Sequence, residues 1–157
     1  MTEAWTVLVC GDAGRGDDGA ALAALERLPH RLPASIQVRA CGQLEPDELV
    51  AALLGGPCLL LDSVHGVEPG SVVELPLARL LSGDDPIPAS SHALPMPIII
   101  GLAEALGAPL GRGSFLGIGG ASFGLGQPLS PAVEAGLDAY ARAIADHLPR
   151  GRRPRCA

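Results

Sequence analysis

The sequence predicts an α/β fold: one mainly parallel sheet with helices on both faces. Three observations carry this. Strand-like and helix-like segments alternate along the chain. The strand segments Val7-Leu8-Val9-Cys10 and Cys58-Leu59-Leu60-Leu61 are continuously apolar, as strands covered on both sides are. No internal repeat and no Pro/Gly/Ser-rich linker divides the chain, so residues 1–149 are expected to form a single domain.

The elements follow in order. Residues 6–10 read as a buried strand. Residues 18–28 read as a helix with Leu22, Leu25 and Leu28 on one face. Residues 36–40 form a second strand. Residues 46–54 form a helix, with Pro46 at its first turn and Asp47 and Glu48 favouring its N-terminal dipole. Residues 58–62 form a third strand that closes on Asp62. A turn at Glu68-Pro69-Gly70 precedes a short strand over 71–75. Residues 78–90 read as a loop with at most one helical turn. A helix over 95–106, a strand over 115–118 and a helix over 130–148 complete the set. Ser130 is expected to cap that last helix, with Pro131 in its first turn. Residues 150–157, with Arg150, Arg152, Arg153 and Arg155, are expected to form a disordered tail.

Composition excludes several classes. The 157 residues suffice for a real core, and with 48% hydrophobic but only 3% aromatic residues that core must be Leu, Val, Ile and Ala. A net charge of -6 argues against a nucleic-acid partner. The most apolar stretch, 94–110, is broken by Glu104, Pro95, Pro97 and Pro109, so no membrane span is expected. Cys10, Cys41, Cys58 and Cys156 lack the C-x-x-C spacing of a zinc ribbon or redox motif. Cys10 and Cys58 fall in apolar runs and read as small core residues. The N-terminus carries no basic segment before an apolar one, so no signal peptide is read and a reduced, cytoplasmic protein is expected.

In parallel sheets, ligands bind beyond the carboxyl ends of the strands. That directs attention to residues 12–18, 41–43 and 62–65. Gly14, Gly16 and Gly19 satisfy the dinucleotide pattern G-x-G-x-x-G. Yet Asp17 and Asp18 stand at the helix N-terminus where a pyrophosphate would dock. No acid follows the second strand near Ala40 to hold a ribose. Carboxylates in that place suit a cation or a proton.

Three residues then stand out: Asp18 after the first strand, Asp62 at the third, and His92 in Ser90-Ser91-His92 before a helix. The first and third strands are neighbours in a doubly wound sheet, which brings Asp18 toward Asp62. Two carboxylates and an imidazole make a three-ligand site for a divalent ion with positions left for substrate. The two acids alone are equally able to share a proton and activate water. Plainer readings exist for each. Asp17 is read as an N-cap, Asp18 equally as a dipole-facing acid, Asp62 as a turn starter and His92 as a capping or packing residue. His65 is close enough to Asp62 to support it, whereas His30 and His147 read as structural or solvent-facing. The glycine-rich stretch 117–126 reads as a close-packed loop, or as the border of a substrate groove.

Several motifs, in order, resemble a known family. They are Gly11-Asp12-Ala13-Gly14-Arg15-Gly16-Asp17-Asp18-Gly19, Leu59-Leu60-Leu61-Asp62-Ser63-Val64, Glu68-Pro69-Gly70-Ser71-Val72-Val73-Glu74-Leu75, Ser90-Ser91-His92, and 124–135 with Gly126-Gln127-Pro128-Leu129-Ser130-Pro131. From about Val7 to Leu148 the chain is similar to the hydrogenase maturation proteases, endopeptidases that trim the C-terminus of the large subunit of nickel-iron hydrogenases.

The resemblance implies a three-layer, phosphorylase/hydrolase-like sandwich. It implies that Asp18, Asp62 and His92 bind metal and carry catalysis of aspartic type. The ion would be nickel presented by the substrate, so the isolated protein need hold none. The implied partner is the hydrogenase large-subunit precursor. Two departures are visible. Asp12 replaces the family's asparagine in a loop one residue shorter. The stretch Ala40-Cys41-Gly42-Gln43 lacks the acid that many members carry there for substrate choice. The first expectation is therefore a nickel-recognising endopeptidase. The alternatives are a non-catalytic metal-sensing or chaperone-like binding protein of the same fold and, from the glycine pattern, a dinucleotide-binding protein.

Overall fold

The computed structural model describes residues 3–89 and 94–150. Among these, six strands form one sheet: β1 (Trp5–Cys10), β2 (Ile36–Gly42), β3 (Cys58–His65), β4 (Val72–Pro76), β5 (Ile87–Pro88) and β6 (Gly113–Gly119). Four α-helices are described: α1 (Ala20–Leu25), α2 (Pro46–Gly55), α3 (Met96–Ala105) and α4 (Pro131–His147). Short 3-10 turns cover Gly16–Gly19, Leu77–Ser82 and Leu110–Arg112.

The strand order is β2-β1-β3-β6-β4. β2, β1, β3 and β6 run parallel, and β4 is antiparallel to β6 at the edge. β4 ends at Pro76, which an edge strand tolerates because one row of its backbone groups has no ladder to join. The predicted mainly parallel α/β sheet is therefore observed.

Alternation along each central strand builds two cores. Leu8 and Cys10 of β1 join Cys58, Leu60 and Val64 of β3 under α2 and α3. Val7 and Val9 join Leu59 and Leu61 under α1 and α4. Both faces of β3 are thus covered, which is why its sequence reads as unbroken leucine; each fully buried leucine contributes roughly 2 kcal/mol by removal from water. The chain leaves β1 toward β2, then returns across β1 to β3. Right-handed crossovers place the connecting helices α1 and α2 on opposite faces when the direction reverses. That reversal opens a crevice between β1 and β3, the usual ligand position in such sheets.

Several boundaries differ from expectation, each for a reason. The helix expected over 18–28 is split into the 3-10 turn Gly16–Gly19 and α1, and it stops at Leu25 ahead of Pro29. β3 does not close on Asp62 but continues to His65, because β6 pairs with it through Val64 and β5 through His65. The stretch read as a loop over 78–90 holds most of the 3-10 turn Leu77–Ser82 and all of β5. Ser130 occupies the N-cap position of α4 but makes no capping bond; its hydroxyl is drawn elsewhere. Of the segment expected to be a tail, only Arg150 is described, and its guanidinium pairs with Asp146 at 3.2 Å. Residues 151–157, with Cys156, lie outside the described residues.

Tyr140 on α4 fastens the helix to the carboxyl ends of the central strands. Its hydroxyl donates to Leu116 O at 2.8 Å and lies 3.5 Å from Asp62 O. Burial, and then the charge of Asp62, push the phenol well above its usual range, so it stays a donor. Tyr140→Phe is expected to lower unfolding free energy by about 1–2 kcal/mol in urea titration with an unchanged m-value. A loss below a few tenths would mean the bond contributes nothing.

Candidate functional site

The β1–α1 connection is built inward, not outward. Gly16 has φ +58 and lies so close to the loop after β6 that a Cβ would sit 2.5 Å from Ser122 O. Only glycine fits there, and Gly16 serves to pack two loops together, not to approach a phosphate. The next residue, Asp17, is fully buried. Its carboxylate accepts from Ala121 N (2.7 Å), Ser122 N (2.9 Å), Ser130 N (2.7 Å) and Ser130 Oγ (2.8 Å). Burial opposes ionisation, but the backbone donors of Ser130, Ala121 and Ser122 outweigh it and hold the carboxyl below its usual 3.8. The expected N-cap role for Asp17 is therefore corrected: it is a latch joining this turn to the glycine-rich loop and to the start of α4.

With Asp17 turned inward, Asp18 faces a cleft between the loop after β1 and the end of β2. It is 5% exposed, and its Oδ2 accepts the Asp12 backbone N–H at 2.9 Å. The Asp12 side chain, by contrast, is an exposed turn element. Its Oδ1 accepts from Gly14 N at 2.8 Å, and its Oδ2 lies 3.7 Å from Arg15 Nε. Asp18 lines a cleft of about 500 Å³ together with Asp12, Arg15, Leu22, Gly42 and Gln43.

Asp62 lies where β3 changes neighbours. β1 accompanies β3 as far as the pair Val9–Leu61. β5 takes over at Val64–Pro88, and Ala89 N donates to Ser63 O at 2.8 Å. Asp62 and Ser63 occupy the handover. Asp62 is fully buried, and its Oδ1 accepts the Ser63 N–H at 2.8 Å. The 3-10 turn that carries Asp18 packs against β3. That turn therefore lies against the strand on which Asp62 sits. His92 lies outside the described residues. Among the described residues, no group of three His, Cys, Asp or Glu side chains is arranged to hold a metal ion.

Two of the other histidines make specific contacts. His65 packs on Phe123 of the glycine-rich loop, ring centroids 4.5 Å apart. His147 bonds Glu74 at 2.8 Å and meets Trp5 edge-on. Sequence reasoning missed two features. One is the Asp17 latch, whose signal was a second acid beside Asp18 and the serine Ser130 before Pro131. The other is the contact between Cys10 and Cys41, sulfurs 3.5 Å apart, which only strand pairing reveals.

No protein-family model and no curated protein sequence matches the chain. Solved structures do. The chain superposes on a [NiFe] hydrogenase maturation protease, HybD from Thermococcus kodakarensis, with TM-score 0.64 and 22% identity over 91% of this chain and 98% of that one. The fold is that of the hydrogenase maturation proteases. HycI from Thermococcus kodakarensis KOD1 gives TM-score 0.64 at 24% identity, covering 90% of each chain. The hydrogenase maturating endopeptidase HybD from E. coli gives 0.65 at 17% identity, covering 91% of each. The expected three-layer architecture is thus shared with this group across nearly its whole length. Among the described residues no helix is long and apolar enough to cross a membrane.

Proposed function

We propose that the chain is an endopeptidase that removes a C-terminal peptide from the nickel-loaded large-subunit precursor of a nickel-iron hydrogenase, acting in the cytoplasm. One observation carries this reading. On a fold shared with solved maturation proteases, the buried Asp18 borders an open cleft, and the turn that carries it packs against β3, the strand of the buried Asp62. Such a pair attracts a cation and repels a phosphate, which removes the dinucleotide reading.

In this proposal Asp18, Asp62 and His92 grip the nickel that arrives inside the substrate. His92 is three residues beyond Ala89, a span of at most about 11 Å of chain, and Ala89 is bonded beside Asp62. Oxygen and imidazole donors suit a borderline divalent ion. Gripping the ion fixes the neighbouring peptide against the crevice. Positioning of this kind lowers a barrier by about 7 kcal/mol or more when the geometry is right. The scissile carbonyl, polarised by the substrate's own ion, is then open to water activated by an adjacent carboxylate. Because Asp62 is fully buried, productive docking must open its cover, so recognition and chemistry are coupled.

The test compares precursors with and without nickel. Incubation with nickel-loaded precursor is expected to give a mass loss equal to a C-terminal peptide, and nickel-free precursor none. Binding without any mass loss would instead establish the non-catalytic metal-sensing or chaperone-like protein. Equal cleavage of both forms would refute recognition through the ion.

A further inference from the structure

Cys10 and Cys41 take no part in the chemistry above, yet the fold has brought them together. They lie on neighbouring strands with sulfurs 3.5 Å apart. A bulge is responsible: Val9 pairs with Ala40 and Cys10 with Gly42, which makes Cys41 the extra residue of β2. Bulges bend a strand and re-aim one side chain. Here the Cys41 thiol contacts Cys10 and donates to Val9 O at 3.3 Å. Cys10 is fully buried and Cys41 half-buried, so one sulfur is anchored and the other is reachable.

We propose that Cys10 and Cys41 are a reversible redox pair, and that closing it to a disulfide displaces Asp18. The sulfurs must approach to about 2.05 Å, a contraction of roughly 1.5 Å. Cys10 is fully buried in the core and follows Val9, which is paired with both β2 and β3, so it cannot supply it. Cys41 stands in the edge strand β2, next to Gly42, where a Cβ would meet nothing within 4 Å. The bulge therefore moves. Gly42 O accepts the Gly11 N–H at 2.9 Å, and the following residue, Asp12, donates its N–H to Asp18 Oδ2 at 2.9 Å. Two hydrogen bonds and one peptide unit thus carry the shift from the bulge to Asp18, and Gly42 also walls the same cleft.

The thiols are differentiated for exchange. The Cys10 S–H would bond a Cys41 thiolate, which lowers the Cys41 pKa against the opposing effect of burial. The same bond, then burial and the charge of Asp62, hold the Cys10 thiol well above its usual range. A small-molecule disulfide such as oxidised glutathione is the oxidant. Cys41 thiolate attacks one of its sulfurs, the small S–S bond breaks and one thiolate leaves. Cys10 then attacks Cys41 Sγ, its proton passing to the second thiolate as that leaves. Two protein thiols lose two electrons and the oxidant becomes two thiols. Disulfides of cytosolic proteins are commonly transient and redox-sensing.

The test uses the full chain carrying Cys156→Ser, treated with oxidised glutathione and then alkylated. A peptide linking Cys10 to Cys41 is expected, lost on reduction and absent from Cys41→Ser. Free alkylation of both thiols after oxidation, or linkage through Cys58, whose thiol burial pushes up to about 12, overturns the pair. Coupling to Asp18 is read from the amide resonances of Gly11 and Asp12, which are expected to shift on oxidation; unmoved resonances overturn it. The consequence for cleavage rests on the proposed function. Oxidised protein is expected to cut nickel-loaded precursor at least about tenfold more slowly, since displacements near 1 Å cost on this scale. Reduction restores the rate, and Cys41→Ser is insensitive. Cleavage at equal rates overturns the coupling. A linked peptide with no cleavage in either state leaves the pair standing and refutes the proposed peptidase instead.

Discussion

Asp17→Ala is expected to remove at least ~3 kcal/mol of unfolding free energy, a large share of the roughly 5–15 kcal/mol that holds an ordinary domain. The carboxylate is fully buried and accepts from three backbone N–H groups and one hydroxyl. Bonds to a charged group each contribute about 1.5–3 kcal/mol, and they add incompletely because they share one acceptor. Truncation also strands the three backbone donors in a region without replacement acceptors on the lost side chain. Asp17→Asn keeps the volume but offers one acceptor oxygen and two unwanted donors, so it is expected to recover only part of the loss. Urea titration of the three proteins measures this; a loss below about 1 kcal/mol for Asp17→Ala would show that the latch is ornamental. The pH dependence has a definite sign. The folded-state pKa lies below the usual 3.8, so the contribution is complete above 3.8 and drains away as pH falls from there through the folded value. Wild type is therefore expected to lose stability below pH 4 more steeply than Asp17→Asn.

The neighbouring aspartates explain how far the fold was legible in sequence and where legibility stopped. Strands β1 and β3 were readable because burial on both faces forces continuous apolar residues, and the bounds of α2 and α4 were readable because Pro46 and Pro131 mark first turns. Asp18 and Asp62 could be placed beyond β1 and on β3 from the alternation alone, and those two strands are neighbours in the sheet. What sequence could not show was long-range pairing. Asp17 and Asp18 are adjacent and chemically identical. Only the arrival of Ser130 and Ala121, more than a hundred residues away, turns one inward as a latch and leaves the other facing the cleft. The extension of β3 past Asp62 depended on β5, whose two residues, Ile87 and Pro88, carry no pattern of their own. The meeting of Cys10 with Cys41 depended on a bulge, a register event with no composition signal.

Asp62→Asn is expected to separate chemistry from folding in the opposite direction to Asp17→Ala. The substitution keeps the side-chain shape, and the amide oxygen still accepts the Ser63 N–H that Asp62 Oδ1 now takes at 2.8 Å. It also removes a charge from a fully buried position, so the unfolding midpoint is expected to hold or rise. Cleavage of nickel-loaded precursor is expected to fall about 10²-fold or more, because a neutral amide is a poorer partner for a divalent ion and the peptide loses its fixed position. Asp18→Asn should behave alike, since its oxygen can still accept the Asp12 N–H. The paired measurement is decisive because either half alone is ambiguous. Lost activity with lost stability would make Asp62 a structural residue. Full activity with retained stability would take the carboxylate out of the reaction, and with it the reason this end of the sheet should select a cation.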